Sequence, residues 1–307
     1  MPFDHGLTMR KTGLIGFFER LSPDLAFFMT DKGVSKISQS AFKYRPEWRL
    51  QPAPSIKHRL PVVSDALVPL LEAGSIQPVN VIRRAVGPRE LEMADGERIE
   101  ADAIVWCTGY QLDFSIFDAS ADPTRDTTPA WAAARGSKGR PLPRLYRNIF
   151  SLDHPDSLAF MGCVAAGSGF FPLTDVASMA LAQVWKGHSA LPSREEMRRA
   201  VDAQHEAMCR IAQTGTANYL SVRQGPWQAW VNDAAGTGLG GKLGWGVEGW
   251  LFWFRERKLY GLLMDGVFTP HVYRLFAGTK RKAWEGARAE IERVNELALE
   301  AKKAKTA

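Results

Sequence analysis

Cysteine is scarce in this chain, with only Cys107, Cys163 and Cys209 among 307 residues. They lie too far apart for a disulfide framework or a Cys-based zinc site, so reduced, structural thiols are expected. Cys107 reads as a buried packing thiol, because nothing near it in sequence would depress its pKa. Long apolar runs are missing as well. The longest uncharged stretch, residues 157–174, holds Gly162, Gly167, Gly169 and Pro172 and reads as strand, loop and helix start, not as a membrane span. None of the six histidines stands at ligand spacing from another His, Cys or carboxylate, so no metal site is expected. The opening Met-Pro-Phe-Asp-His carries no basic segment followed by an apolar one, so no secretory signal is read and a cytoplasmic setting is expected.

No long basic stripe is present either. The formal charge of +6 is scattered in pairs and triplets such as Arg83/Arg84, Arg198/Arg199 and Lys280/Arg281/Lys282. A protein that tracks a nucleic-acid backbone clusters its cations on one face, so no nucleic-acid partner is expected. Hydrophobic and charged fractions of 45% and 23% are those of an ordinary globular protein, and 307 residues are enough for an enzyme.

Residues 1 to about 60 show little periodicity, and Pro46, Pro52, Pro54 and Pro61 punctuate them, so no long helix is expected there. From Val79 short apolar runs alternate with turns: Val79 to Ile82, Glu90 to Met93 after Gly87-Pro88, and Asp95-Gly96. These predict small antiparallel strands feeding a buried strand at Ile104 to Trp106. A second buried strand is expected at Leu158 to Gly162, followed by a small-residue loop and a helix starting near Pro172 to Asp175 and ending at Gly187. Ser193 and Glu196 form an S-x-x-E capping box ahead of Met197, Val201, Met208 and Ile211, predicting an amphipathic helix. Trp284, Ala287, Ile291, Val294 and Ala298 predict another at the C-terminal end.

Gly236-Thr-Gly238-Leu-Gly-Gly241 satisfies G-x-G-x-x-G, a spacing that lets backbone approach a pyrophosphate at a helix N-terminus. No β-rich run precedes it, so it reads as a flexible loop. Ser168 lies between glycines, but without G-x-S-x-G there is no nucleophile elbow.

The most informative segment runs from Asp95 to Tyr110. An Asp-Gly turn, the acidic Asp102, the apolar Ala-Ile-Val-Trp and then Thr108-Gly109-Tyr110 resemble the D-x-V-I-x-A-T-G-Y segment of flavin-containing monooxygenases. Leu145 to Phe150, His154 to Gly162, Gln183 to Gly187, Leu191 to Ser193, Gly266 to Leu275 and Trp284 to Arg288 follow that family in order and spacing. From about Pro54 to Arg288 the chain is similar to the second half of a full-length member.

That resemblance implies an α/β chain: an incomplete two-dinucleotide-binding-domain flavoprotein fold with a helical C-terminal tail. Residues 1–60 would be a remnant of the nicotinamide domain, 61–190 the C-terminal part of the FAD domain and 191–307 the helical region. It implies FAD and NADPH as cofactors, NADPH reducing a flavin that then oxygenates a small-molecule substrate at a soft N or S atom. Thr108, Gly109 and Tyr110 would sit where the chain crosses between cofactor domains. Gly162, Val164, Ala165, Gly167 and Ser168 would belong to the backbone lining the isoalloxazine and pyrophosphate. No catalytic residue is assigned. Cys107 replaces the usual alanine, and Ala165-Ala-Gly-Ser-Gly169 stands where a Gln-Pro-Leu-Gly type sequence is common. The family's two strand-linked glycine loops have no counterpart here, so the chain alone is expected to be inactive and to bind cofactor weakly. The expected partner is an N-terminal half on a separate chain, or another copy through self-association. The alternative reading is a non-catalytic binding or scaffold protein derived from the same fold. Trp245 to Phe254, with Arg255, Arg257 and Lys258 beside them, suit a peripheral membrane contact, a substrate-channel wall or a subunit contact.

Overall fold

The computed structural model describes residues 8–304 except 42, 63, 65, 110, 111, 168 and 279. Tyr110 and Ser168 therefore lie outside the described residues. The chain divides into a larger unit, Met1–Thr30, Ile56–Leu60 and Phe114–Ala307, and a smaller one, Asp31–Ser55 and Pro61–Asp113.

The larger unit is helical. α5 (Phe170–Trp185) buries Leu173, Val176, Ala177 and Ala180, spaced so that they share one face. α7 (Gln224–Ala235) buries Trp227, Val231, Ala234 and Ala235 in the same hydrophobic cluster. The two helices pack together, and alanine on both faces allows close approach of the backbones. Gly187, at φ 74°, ends α5: its N–H donates to Val184 and that of His188 to Gln183, as in a Schellman motif.

α6 (Arg194–Thr214) starts on the expected capping box. Glu196 N–H donates to Ser193 Oγ, and the Glu196 carboxylate accepts from the Ser193 N–H at 2.9 Å. Its Met197 and Val201 join the main cluster. Its Met208, Cys209 and Ala212 pack with Trp131, which lies on α4 (Pro129–Ala133), and with Leu142 and Ala217. After α7 come α8 (Leu239–Lys242), α9 (Val247–Arg255), α10 (Arg257–Asp265) and α11 (Ala287–Ala304). Ala287 and Ile291 of α11 are fully buried.

The amino-terminal region departs from expectation, because α1 (Met9–Leu21) and α2 (Pro23–Ala41) are both regular. Thr8 caps α1, Pro23 sits in the first turn of α2 where its missing N–H costs nothing, and Pro46, Pro52, Pro54 and Pro61 follow both helices. Tertiary contacts hold α1: a Cβ on Gly16 would lie 3.1 Å from Gly225 Cα, and Gly225 N–H donates to Glu19. Arg10 pairs with both oxygens of Asp265, at 2.7 and 2.8 Å.

In the smaller unit, Trp48, Val68 and Leu71 form a compact cluster, the last two on α3 (Leu67–Glu72). β1 (Ile82–Ala85), β2 (Glu90–Met93) and β3 (Arg98–Glu100) form an antiparallel sheet in the order β1-β2-β3. Arg84 and Arg98 flank Glu92 in register, and Arg84 holds the Glu92 carboxylate at 2.8 Å. That hydrogen bond, helped by the nearby Arg83 and Arg98, keeps the Glu92 pKa below the ordinary carboxylate value.

Three further expectations fail. Ile104 to Trp106 is neither a strand nor buried: Val105 and Trp106 are 82% and 70% exposed. An apolar run becomes a strand only where another strand satisfies its amides, and none pairs with it among the described residues. Cys107, in the same segment, is exposed rather than buried. Leu158 to Gly162 contributes only an isolated bridge, Ala159 to Phe150, although Phe160 is buried.

Candidate functional site

The segment from Gly162 to Gly167 is hydrogen-bonded at Cys163, Ala165 and Gly167. Gly162 has φ 91°, a conformation that favours glycine, and its neighbour Cys163 accepts a 2.9 Å hydrogen bond on its carbonyl from Asn148 Nδ2. The same amide donates to Leu220 O at 3.2 Å, linking two loops through one side chain. Val164 is buried in the main cluster. Ala165 forms a short parallel bridge: its N–H donates to Leu220 O at 2.8 Å, and its carbonyl accepts from Val222 at 3.1 Å. Gly167 N–H donates to Gln224 Oε1 at 3.0 Å.

Asn148 can do this because of its backbone. It follows Arg147, and both have positive φ, 57° and 58°, inside a tight turn closed by reciprocal hydrogen bonds between Tyr146 and Phe150. Asparagine tolerates the left-handed region better than most residues, which is the one local signal that could have singled it out. Gln224 carried no comparable signal.

Beyond the loop, Gly169 at φ 83° turns the chain into α5, whose first turn no side chain caps. Phe170 and Phe171 at that end are exposed. A hydrogen-bonded small-residue segment, Gly162 to Gly167, thus precedes a helix whose amino-terminal dipole favours negative charge. Cys163 is not reactive in this setting, since burial pushes its thiol up to about 11.

Thr108 and Gly109 are also exposed, and Gly109 has φ 84° with open space where a Cβ would stand. They belong to the smaller unit, whereas Gly162, Val164, Ala165 and Gly167 belong to the larger.

The model of the flavin-binding monooxygenase-like family matches residues 17–306. A monooxygenase named aurF from Gibberella zeae is 44% identical over 96% of this chain and 56% of its own length. Flavin-containing monooxygenase 3 from Canis lupus familiaris is 25% identical over 94% of this chain and 49% of its own. A 4-hydroxybenzoate brominase (decarboxylating) from Marinomonas mediterranea is 30% identical over 53% of this chain and 28% of its own. The chain belongs to the flavin-binding monooxygenase-like family. It spans 56% of the first of these relatives and smaller shares of the other two.

Membership in the flavin-binding monooxygenase-like family implies a dinucleotide-binding flavoprotein fold and use of FAD and NADPH. The described residues themselves are mostly helical with one small antiparallel sheet. The Gly236 to Gly241 string is a helix-to-helix turn, not a loose loop. Gly236 ends α7, Thr237 is fully buried, and Cβ atoms on Gly236 and Gly238 would crowd Lys280 and Phe276.

A second string of the same spacing, Gly244-Trp-Gly246-Val-Glu-Gly249, leads into α9. A Cβ on Gly249 would lie 1.9 Å from Gly244 O. Gly236, Gly238, Gly241, Gly244 and Gly249 are closely approached by neighbouring atoms while Gly246 faces open space, and neither string follows a strand. A separate cavity of about 10 Å³, lined by Leu142, Arg144, Val201 and His205 among others, has room for about one water. Burial lowers the pKa of His205, which contacts Thr128 and Cys209 and packs as a neutral ring.

Proposed function

We propose that this chain is the flavin-facing C-terminal portion of an FAD- and NADPH-dependent monooxygenase acting on soft nitrogen or sulfur nucleophiles. The dinucleotide phosphates are held by a segment outside these 307 residues, on the same polypeptide or on a separate chain, so the chain alone is inactive.

One observation carries this reading: the Gly162 to Gly167 loop, made mostly of small residues, is hydrogen-bonded to Asn148, Leu220, Val222 and Gln224. Main chain with small residues can approach an aromatic ring closely, and the uncapped start of α5 suits a nearby negative group. Bound flavin would supply the redox chemistry, taking electrons from NADPH and delivering one oxygen atom of O₂ to substrate while the other leaves as water. The chain's own residues would position the ring and exclude water through the buried Val164 side.

The test is colour. Purified alone, the chain should be colourless and should not oxidise NADPH. Mixed with a separately expressed segment carrying two strand-linked glycine loops, it should give a yellow complex. Gly162→Val should weaken flavin binding in that complex by straining the loop at positive φ. Stoichiometric FAD retained by the chain alone would overturn the division of labour. A stable complex that binds no flavin would instead favour the scaffold reading.

A further inference from the structure

α9 is apolar on two sides. Its inner side is set by Gly249, which is buried against Gly244, and by Phe252, which packs on Tyr260 and Phe276 with ring centroids 6.2 and 5.3 Å away. The helix therefore cannot roll to hide its other side. That outer side carries Val247, Trp250, Leu251 and Phe254, at the i, i+3, i+4, i+7 spacing of a single helical stripe. All four are exposed, Val247 and Phe254 by 77% and 68%, and Trp245 just before the helix is 90% exposed. Trp245, Trp250 and Trp253 stack edge to face in a continuous row, at 6.3 and 5.8 Å.

We propose that this stripe is a membrane-surface contact, lying in the headgroup region of a bilayer that contains anionic phospholipid. Charge and residue type argue for lipid over a second protein. Between Lys242 and Lys258 the acidic groups are Glu248 and Glu256, and both are engaged, Glu248 with Lys242 at 3.8 Å and Glu256 with Arg288 at 3.2 Å. Arg255, Arg257 and Lys258 are exposed and have no carboxylate within ion-pair distance among the described residues. The guanidinium of Arg257 lies over the Trp253 and Phe254 rings, at 4.7 and 5.6 Å, so cation and apolar surface occupy one edge. A second copy seated on the same stripe would bring two cationic rims together. A headgroup layer offers phosphates to the cations and acyl chains to the stripe, and tryptophan favours that boundary. No helix among the described residues is long and apolar enough to cross a membrane, so the contact is parallel to the surface.

The test is co-sedimentation of the full chain with phosphatidylcholine vesicles, with and without phosphatidylserine. The wild-type chain should bind the anionic vesicles, and brominated lipid should quench its tryptophan emission. Trp250→Ala with Phe254→Ala should lower the partition coefficient about tenfold or more. Arg255→Gln with Lys258→Gln should lower binding to anionic vesicles and reduce its salt sensitivity. Leu297→Ser with Leu299→Ser, which removes exposed apolar groups on α11, should leave binding unchanged. Circular dichroism confirms that each variant is folded. Absence of wild-type binding to anionic vesicles would overturn the proposal. So would an α9 variant that binds unchanged, or one that only dissociates an oligomer.

Discussion

Among the described residues, twenty buried ones form one cluster in the larger unit, drawn from α5, α6, α7, α8, α10 and α11, from Tyr146 to Val164 ahead of α5, and from Val272 and Tyr273. In the smaller unit the corresponding cluster is Trp48, Val68 and Leu71, and arginine-carboxylate pairs link the strands of its sheet. One region rests on the hydrophobic effect, which neither salt nor moderate acid removes. The other relies more on ion pairs that both conditions weaken. Apolar character alone did not decide which residues were buried. Ile104, Val105 and Trp106 are as apolar as Leu173 and Val176, yet only the latter are buried.

Substitution should show the widest gap between the two regions. Leu173→Ala, at a site 1% exposed, should cost about 2–5 kcal/mol through lost transfer energy and a residual cavity. Val105→Ala should change stability by no more than about 0.5 kcal/mol. Urea denaturation measures both. Equal costs would mean that Val105 packs against something in solution.

Thiol labelling should sharpen the same contrast. With its thiol pushed up to about 11, Cys163 would be thiolate in roughly one molecule per thousand at pH 8, and it is buried besides. Cys107 is exposed and should alkylate first, by a factor of roughly a hundred or more in rate. Peptide mass mapping after brief iodoacetamide treatment reads the order. Labelling of Cys163 and Cys209 without denaturant, at the rate of Cys107, would contradict the packed core.

Acid should produce the smallest effect. Because Arg84 holds the folded-state pKa of Glu92 below its unfolded value, the pair stabilises the sheet fully above the ordinary carboxylate value, about 4.3. That contribution is lost as pH falls through the lower folded value. Amide exchange in β1 to β3 should then accelerate at acidic pH relative to its intrinsic rate while α5 and α7 stay protected. Glu92→Gln should remove the pH-dependent part. A sheet indifferent to acid would imply that apolar packing of Leu91 and Met93 suffices.

These contrasts also separate what was legible from what was not. The Ser193–Glu196 box, the end of α5 at Gly187 and the Asp95-Gly96 turn were readable because each is satisfied within a few residues of chain. The candidate loop was readable through its collinearity with a family, but its anchors were not. Asn148 reaches Leu220 across 72 residues and Gln224 reaches Gly167 across 57, and no periodicity encodes such pairs. The helix α1 was missed because its support is remote, in Gly225 and Asp265.

By itself the sequence determined the local elements: capped and periodic helices, glycine turns, and the family motifs from Asp95 onward. Only the tertiary structure decided which apolar runs became core, which glycines were packed between helices, and which backbone loop was anchored by distant side chains. Local signals need only neighbours on the same few turns of chain. Strand pairing, burial and loop anchoring depend on groups that meet only after the chain has folded, so no reading of adjacent residues could assign them.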